Sequence, residues 1–206
     1  ITRTSTTKTS WDADDNNEAN AMKNTNAGGM SCWPTEKYLN IWICNLSNSG
    51  GGGTTLGYAY LPNTFPVGNW KDGLVIDYQY FGTIGSASSS SDGRTATHEI
   101  GHYLGLMHTF CEDADAQGNP ICCDNDNNSW GGYVDDTPAT KDIYFDPVTA
   151  STSNNTCNDL LYSNIFTNNV LDMDENFMSY ASTTWMFTND QIDVMDATLN
   201  GYRSSL

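Results

Sequence analysis

The stretch that decides the fold of this 206-residue chain is HEIGHYLGLMH, residues 98–108. His98 and His102 are four residues apart, so on a helix their imidazoles lie on one face, about one turn apart. A third ligand requires the chain to turn back. Gly105 permits this, because glycine adopts the left-handed conformation that ends helices, and His108 then reaches the same point. The spacing therefore predicts a metal site with three histidine ligands.

The donor type in this motif indicates zinc. Three neutral imidazoles leave the fourth position of a tetrahedral zinc open for water, which is typical of a catalytic site. Glu99 follows the first ligand directly and would take a proton from that water as a general base. All the histidines of the chain fall in this one motif, and the full pattern is far more specific than HExxH alone. We therefore interpret it as a centre for hydrolysis.

A second element, NFMSY, occupies residues 176–180. Met178 would form an apolar floor under the metal, and Tyr180 would point its hydroxyl group at the metal. A methionine in an aromatic run is more often a core residue. Because this run follows the zinc motif, we favour the functional interpretation.

The zinc motif with Met178 resembles the metzincin pattern of a long zinc motif followed by a Met-turn. Several further stretches are similar to the pappalysin family within that clan: Trp33–Pro34, Tyr38–Leu46, Leu56–Ala59, Thr109–Phe110, Val134–Pro138 and Phe187–Thr188. The resemblance covers nearly the whole chain. It implies a secreted zinc endopeptidase that is made as a zymogen.

The expected fold is α+β, in a single catalytic domain of residues 1–206. The resemblance implies two lobes, an upper one of about residues 1–105 with a twisted mixed sheet and the active-site helix, and a loop-rich lower one of about 106–206 with a C-terminal helix. The residue pattern itself predicts these elements: a short helix in Trp11–Met22, strands at Tyr38–Cys44, Leu56–Leu61 and Gly73–Phe81, a helix from Ser91 or Asp92 to about Leu104, and a last helix capped by Thr188 and Gln191.

The resemblance also implies roles in substrate binding. The edge strand, with Gly57, Tyr58 and Ala59, would pair with the substrate backbone. Tyr180 would hydrogen-bond the developing oxyanion, and Glu99 would pass its proton to the leaving amine.

Specificity is expected to depart from the family. The family often prefers a basic side chain after the scissile bond, through an acid a few residues past the Met-turn. Residues 181–186 contain no acid, so Thr184 and Trp185 would line this pocket as substrate-binding residues. An unpaired buried cation is costly, so this sequence predicts a broader or more apolar preference at that subsite. The alternative is that another acid enters the pocket from the 111–175 loops.

Composition limits the partners. The net charge is −17, from 25 acidic and 8 basic residues, which disfavours nucleic acid and anionic membranes. No apolar run approaches the length of a membrane span, and no apolar leader follows Ile1, so we expect any signal peptide to have been removed. The expected partners are protein or peptide substrates, and the expected state is a monomer.

An acidic segment favours calcium. Residues 95–140 contain no Lys or Arg, and their carboxylates repel one another unless a cation binds. The alternative is a solvated acidic loop. The resemblance favours calcium near Val134–Pro138, and the candidate ligands are Asp124, Asp126, Asp135, Asp136, Thr137 and Thr140.

The six cysteines predict disulfides and export. Cys32 and Cys44 flank the first strand and are expected to pair. The other four cysteines would form one of two sets, Cys111–Cys122 with Cys123–Cys157, or Cys111–Cys123 with Cys122–Cys157.

A rival hypothesis is a non-catalytic binding or adhesion domain stabilised by calcium and zinc. The presence of Glu99 and Tyr180 argues against it, as does the lack of a fourth protein ligand, which a structural zinc site normally has.

Overall fold

The computed structural model describes residues 1–15, 17–51, 53–87, 89, 91–123 and 134–206. The chain forms two compact units. The first is Ile1–Tyr103 with Tyr202–Leu206, and the second is Leu104–Gly201. Among the described residues, no helix combines the length and apolar character needed to cross a membrane.

The first unit contains the sheets. Strand β1 (Trp11–Asp12) pairs in parallel with β3 (Leu46–Ser47). A separate three-stranded sheet has the order β2 (Ile41–Cys44), β5 (Leu74–Asp77), β4 (Gly57–Ala59). In it β5 runs parallel to β2 and antiparallel to β4. The short lengths follow from the side chains, because Asp77 ends β5 by accepting hydrogen bonds from the backbone of Leu46 and Gln79 (2.8 Å each).

Helix α1 (Thr95–Tyr103) carries the first part of the motif, with His98, Glu99 and His102, and also belongs to the first unit. The unit's apolar cluster consists of Trp11, Met22, Trp42 and Val75. The middle strand β5 is buried along its whole length, which explains its near-continuous run of apolar residues.

The predicted helix in Trp11–Met22 is wrong. Trp11 enters the core in a strand, and only Ala21–Lys23 forms a short 3₁₀ helix. The reason is local: the carboxylates of Asp12 and Asp14 accept hydrogen bonds from backbone N–H groups of Asp14 and Gly50 (2.9 and 2.8 Å). Such side-chain bonds offer the backbone an alternative to a helix.

The described residues of the second unit form little regular structure. They contain a one-turn helix α2 (Asp159–Tyr162) and the last helix α3 (Asn189–Asn200). The predicted capping box is present, since the Thr188 side chain accepts from the Gln191 N–H and the Gln191 side chain accepts from the Thr188 N–H. Strands with few helices confirm the α+β prediction.

One cysteine prediction is confirmed and one is wrong. The bonds are Cys111–Cys123 and Cys122–Cys157, with Cα–Cα distances of 5.6 and 5.8 Å. Cys32 and Cys44 are free thiols that pack against the apolar cluster of the first unit. Flanking one strand does not by itself give two cysteines the close Cα–Cα approach that a disulfide requires. Burial raises the pKa of Cys44 to about 12, which keeps this thiol protonated and unreactive.

Candidate metal centre

The last two turns of α1 present His98 and His102 to one point. Their Nε2 atoms are 3.1 Å apart, and their rings meet edge to face with centroids 4.7 Å apart. Two nitrogens of a tetrahedral zinc with Zn–N bonds of about 2.05 Å would be separated by about 3.3 Å. The helix therefore holds both imidazoles close to the separation that a shared metal requires.

The third histidine completes a metal-binding group. Gly105 follows α1 with φ +102°, in the left-handed region that the turn requires. One ligand nitrogen from each of His98, His102 and His108 lies within 4.8 Å of the other two. Three imidazoles without a fourth side-chain donor among the described residues are the donor set of a catalytic zinc site, so these residues fit zinc.

His108 is oriented by its neighbours. Its Nδ1 contacts the carboxylate of Glu112, and its ring stacks on Phe110 with centroids 4.6 Å apart. A carboxylate on Nδ1 fixes the tautomer and leaves Nε2 for a metal. The sequence analysis assigned Glu112 no such role. Its position four residues after His108 was the available signal.

Glu99 is 5% exposed, and burial raises its pKa to about 8. This value describes a carboxyl group without a cation beside it, and a divalent ion would lower the pKa again. A nearby cation would hold Glu99 in the carboxylate form, which is the form that accepts a proton.

Gly57 of β4 lies directly against Glu99. A Cβ atom at this position would be 3.1 Å from Cγ and 3.2 Å from Oε1 of Glu99, and 3.0 Å from the carbonyl oxygen of Val75. Strand β4 is an edge strand of its sheet. Glycine avoids this contact, whereas a Cβ atom would require Glu99 or the Val75 carbonyl to move by a few tenths of an ångström. The predicted substrate strand is shorter than expected, since Tyr60 and Leu61 lie outside it.

The segment around Met178 is fixed by buried amides. Met178 is fully buried, in a cluster with Leu106, Val134 and Val194. The Asn176 side chain accepts from the Met178 N–H (2.9 Å), and it exchanges hydrogen bonds with the Gln191 amide (2.8 and 3.1 Å). Gln191 thus serves both the cap of α3 and this turn, a connection that the sequence analysis missed.

Tyr180 lies next to the third ligand. Its ring meets His108 and Phe110 edge to face, with centroids 4.7 and 4.9 Å apart, and the side chain is 42% exposed. Phe145, 64% exposed, lies 6.1 Å from the Tyr180 ring. The hydroxyl group therefore belongs to an accessible aromatic surface beside the metal ligand.

Thr184 precedes Trp185, which lines a cavity of about 320 Å³. Asp172, Asp174 and Glu175 line the same cavity. These carboxylates come from the 111–175 loops before the Met-turn, from which the specificity prediction allowed another acid to enter the pocket.

Only part of the candidate calcium site can be described, because Asp124 and Asp126 lie outside the described residues. Asp136 and Asp190 are linked, since Asp136 accepts from the Asp190 N–H at 3.1 Å and Asp190 accepts from the Asp135 N–H at 3.1 Å. The other carboxylate oxygen of Asp136, Oδ1, is buried and has no hydrogen-bond donor among the described residues. Thr137 and Thr140 are both 4% exposed.

Comparison with known proteins decides the family. The Peptidase_M43 model, described as pregnancy-associated plasma protein-A, matches residues 23–200. The chain belongs to this family. The predicted pappalysin resemblance is confirmed.

Curated proteins similar to this chain are named as metalloproteases. An extracellular metalloprotease from Arthroderma otae is 37% identical over 142 residues, which cover 67% of this chain and 42% of that protein. An extracellular metalloprotease from Neurospora crassa is 35% identical over 176 residues, which cover 83% of this chain and 51% of that protein. The chain thus spans about half or less of the curated relatives that it matches.

Solved structures confirm the metzincin-like fold. Mature mirolysin from Tannerella forsythia, in complex with a cleaved peptide, has a TM-score of 0.70 and 34% identity, covering all of this chain and 67% of that one. A promirolysin mutant has a TM-score of 0.73 and 32% identity, and covers all of this chain and 59% of that one.

Proposed function

We propose that this chain is the catalytic domain of a secreted zinc-dependent endopeptidase, with Glu99 as general base. The observation that carries the proposal is the convergence of three histidine nitrogens within 4.8 Å on a segment that also supplies a buried glutamate. Extracellular metalloproteases among the relatives support secretion. The peptide held by mirolysin supports protein or peptide substrates.

Glu99 moves the proton in this reaction. Zinc, when bound, would supply Lewis acidity, polarising the scissile carbonyl and lowering the pKa of water. The Glu99 carboxylate takes a proton from the water that attacks the carbonyl carbon. It then donates that proton to the nitrogen of the leaving amine, so it returns to the carboxylate form.

Gly57–Ala59 orients the substrate. An edge strand offers backbone N–H and C=O groups to an extended peptide, which adds to the sheet as a further strand. Because Gly57 packs against Glu99, a peptide paired with β4 would lie near the base. Pairing of this kind gives affinity through the backbone and leaves the choice of side chains to other contacts.

Tyr180 stabilises the oxyanion in this proposal. Its hydroxyl group would donate a hydrogen bond to the carbonyl oxygen as negative charge develops there. Tyr180→Phe keeps the ring contacts with His108 and Phe110, so we expect kcat to fall while KM changes little. An unchanged kcat would make Tyr180 a structural residue.

The experiment that tests the function compares wild type, Glu99→Gln and Glu36→Gln on a peptide library, with and without a zinc chelator. We expect chelation to abolish cleavage and Glu99→Gln to lower it by roughly two to four orders of magnitude while zinc stays bound. Glu36→Gln, outside the motif, is the matched control. A zinc-loaded wild-type chain that cleaves nothing would favour the binding or adhesion domain. Full activity in Glu99→Gln would exclude the assigned base.

We also propose a structural calcium ion near Val134–Pro138. A buried oxygen of Asp136 that has no hydrogen-bond donor within the described part of the chain supports it, because calcium takes carboxylate oxygens and would satisfy this atom. Calcium added at constant zinc should raise the melting temperature by mass action, and Asp136→Asn should reduce that rise. A melting temperature that stays the same when calcium is added would contradict this site.

Two further expectations, that the protein is a monomer and that it does not bind nucleic acid, stay predictions.

A further inference from the structure

Arg203 is buried in the first unit although it is among the last residues of the chain. It is 5% exposed, and its partner Asp72 is 8% exposed. The two groups meet in a bidentate pair, with Nη1 2.5 Å from Oδ2 and Nη2 3.1 Å from Oδ1 of Asp72. A fork-on-fork pair of this kind fixes the plane of the guanidinium group.

Nη2 also donates to the carbonyl oxygen of Tyr60 at 3.5 Å, and Nε reaches the metal-binding helix. Nε donates to the carbonyl oxygen of Tyr103 at 2.8 Å, and the guanidinium carbon lies 3.3 Å from the centroid of the Tyr103 ring. Tyr103 is the last residue of α1 and directly follows the ligand His102. Arg203 thus holds both the backbone and the side chain of the residue next to a metal ligand.

The end of a helix is its weak point. The last four carbonyl groups have no partner within the helix and need donors from elsewhere. A positive charge there also interacts favourably with the helix dipole. Without such a donor the last turn frays, and His102 lies in that turn. A frayed turn would lose the 3.1 Å separation of the His98 and His102 nitrogens.

We propose that Arg203, oriented by Asp72, is a positioning residue that holds the last turn of α1 in the conformation that binds zinc. The inference rests on the zinc site of the proposed function. It deepens that proposal, because it gives the zinc affinity of the site a determinant outside the HExxHxxGxxH motif.

The test separates positioning from stability. Arg203→Met alone leaves the Asp72 carboxylate buried without its partner, which strongly destabilises the first unit. In Asp72→Leu with Arg203→Met, apolar side chains replace both charges, which is often neutral for stability, while the Tyr103 carbonyl still loses its donor. Arg203→Lys keeps the charge but cannot bond Asp72 and Tyr103 with one planar fork. Met22→Ala, in the apolar cluster of the same unit, is the control for lost stability alone.

The measurement is the zinc dissociation constant, by competition with a chromophoric chelator at a temperature where every variant is folded. The absorption spectrum of the cobalt-substituted site is the second readout. We expect the double variant to bind zinc about tenfold more weakly, the lower end for residues that orient metal ligands, with an altered cobalt spectrum. Arg203→Lys should fall between it and wild type, and Met22→Ala should match wild type.

Each outcome decides between the proposals. Zinc affinity within twofold of wild type in the double variant, or in Arg203→Lys if the double variant does not fold, would overturn the positioning role. Equal weakening by Met22→Ala would overturn it too, by making affinity a consequence of stability. A wild-type chain that binds no zinc would instead contradict the proposed function.

Discussion

The two units of this molecule hold their chains in different ways. The first unit is stabilised by an apolar cluster and by strand pairing, and its strand β5 is buried along its whole length. The second unit has a smaller apolar cluster around Met178, and buried polar side chains satisfy its backbone. Asp159, with no exposed surface, accepts from the N–H groups of Ala139 and Val170 (2.9 Å each).

This difference shows how a loop-rich unit becomes ordered. Buried backbone groups need hydrogen-bond partners. Where the chain forms few strands and helices, carboxylates and amides must supply those partners, and disulfides restrict the unfolded chain. The second unit should therefore depend on the chemistry of single side chains, and the first on apolar volume.

The largest expected effect is the loss of a disulfide from the second unit. Cys122→Ala with Cys157→Ala opens a bond across 35 residues of sequence and should lower the free energy of unfolding by about 2–5 kcal/mol. Cys32→Ala with Cys44→Ala in the first unit removes the same atoms but no bond, and should cost less than half as much. Equilibrium unfolding in denaturant measures both. An equal decrease in the free energy of unfolding for the two double variants would show that the disulfide does not make the second unit different from the first.

A smaller loss is expected from Asp159→Asn. An amide has one acceptor oxygen, so one of the two N–H groups that Asp159 serves would face the NH₂ group. We expect the free energy of unfolding to fall by about 2–3 kcal/mol. The exposed Asp142→Asn should change it by less than about 0.5 kcal/mol. Similar values for the two variants would show that the buried carboxylate does not order this unit.

Lys23 sharpens the comparison, because like Arg203 and Asp72 it is a charged side chain buried in the more apolar unit. It is 1% exposed, its Nζ lies 4.8–5.4 Å from the ring centroids of Trp42, Tyr58 and Tyr60, and it donates to the Lys71 carbonyl at 2.6 Å. Desolvation lowers its pKa to about 7.

The pH dependence of stability follows from this shift. Below pH 7 Lys23 is charged in both states and the full cost of burying the charge applies. Between pH 7 and 9 the unfolded chain keeps the proton while the folded chain releases it, so stability rises with pH. Wild type should gain up to about 1.4 kcal/mol per pH unit relative to Lys23→Met. Parallel profiles of stability against pH for wild type and Lys23→Met would contradict the shifted pKa of Lys23. Lys37→Met, at an exposed position, should follow the profile of wild type.

The smallest effect on stability is expected from Gly57→Ala, which we expect to cost about 1 kcal/mol or less. The added methyl group would press on Glu99 and the Val75 carbonyl, so kcat should fall by about tenfold through misplacement of the base. The double variant with Glu99→Gln tests this route. If the methyl group acts through Glu99, it should cost little more in that background.

The sequence determined the features that depend on neighbouring residues. The spacing of His98, His102 and His108 encodes one face of a helix and a glycine turn, and both lie within a single short stretch. The capping box of Thr188 and Gln191 is equally local. Local patterns failed where side chains compete with the backbone, as in the stretch from Trp11 to Met22, and where Asp77 ends β5 earlier than the apolar run suggests.

Only the tertiary structure decided the contacts between distant residues. The pairing of Arg203 with Asp72 spans 131 residues, and nothing in either neighbourhood indicates the other. The contact of Gly57 with Glu99 also joins residues that are distant in the sequence. That Cys32 forms no disulfide likewise depends on the tertiary structure. The physical reason is that local preferences fix backbone conformation over a few residues, while the partners of a buried side chain depend on how the whole unit packs.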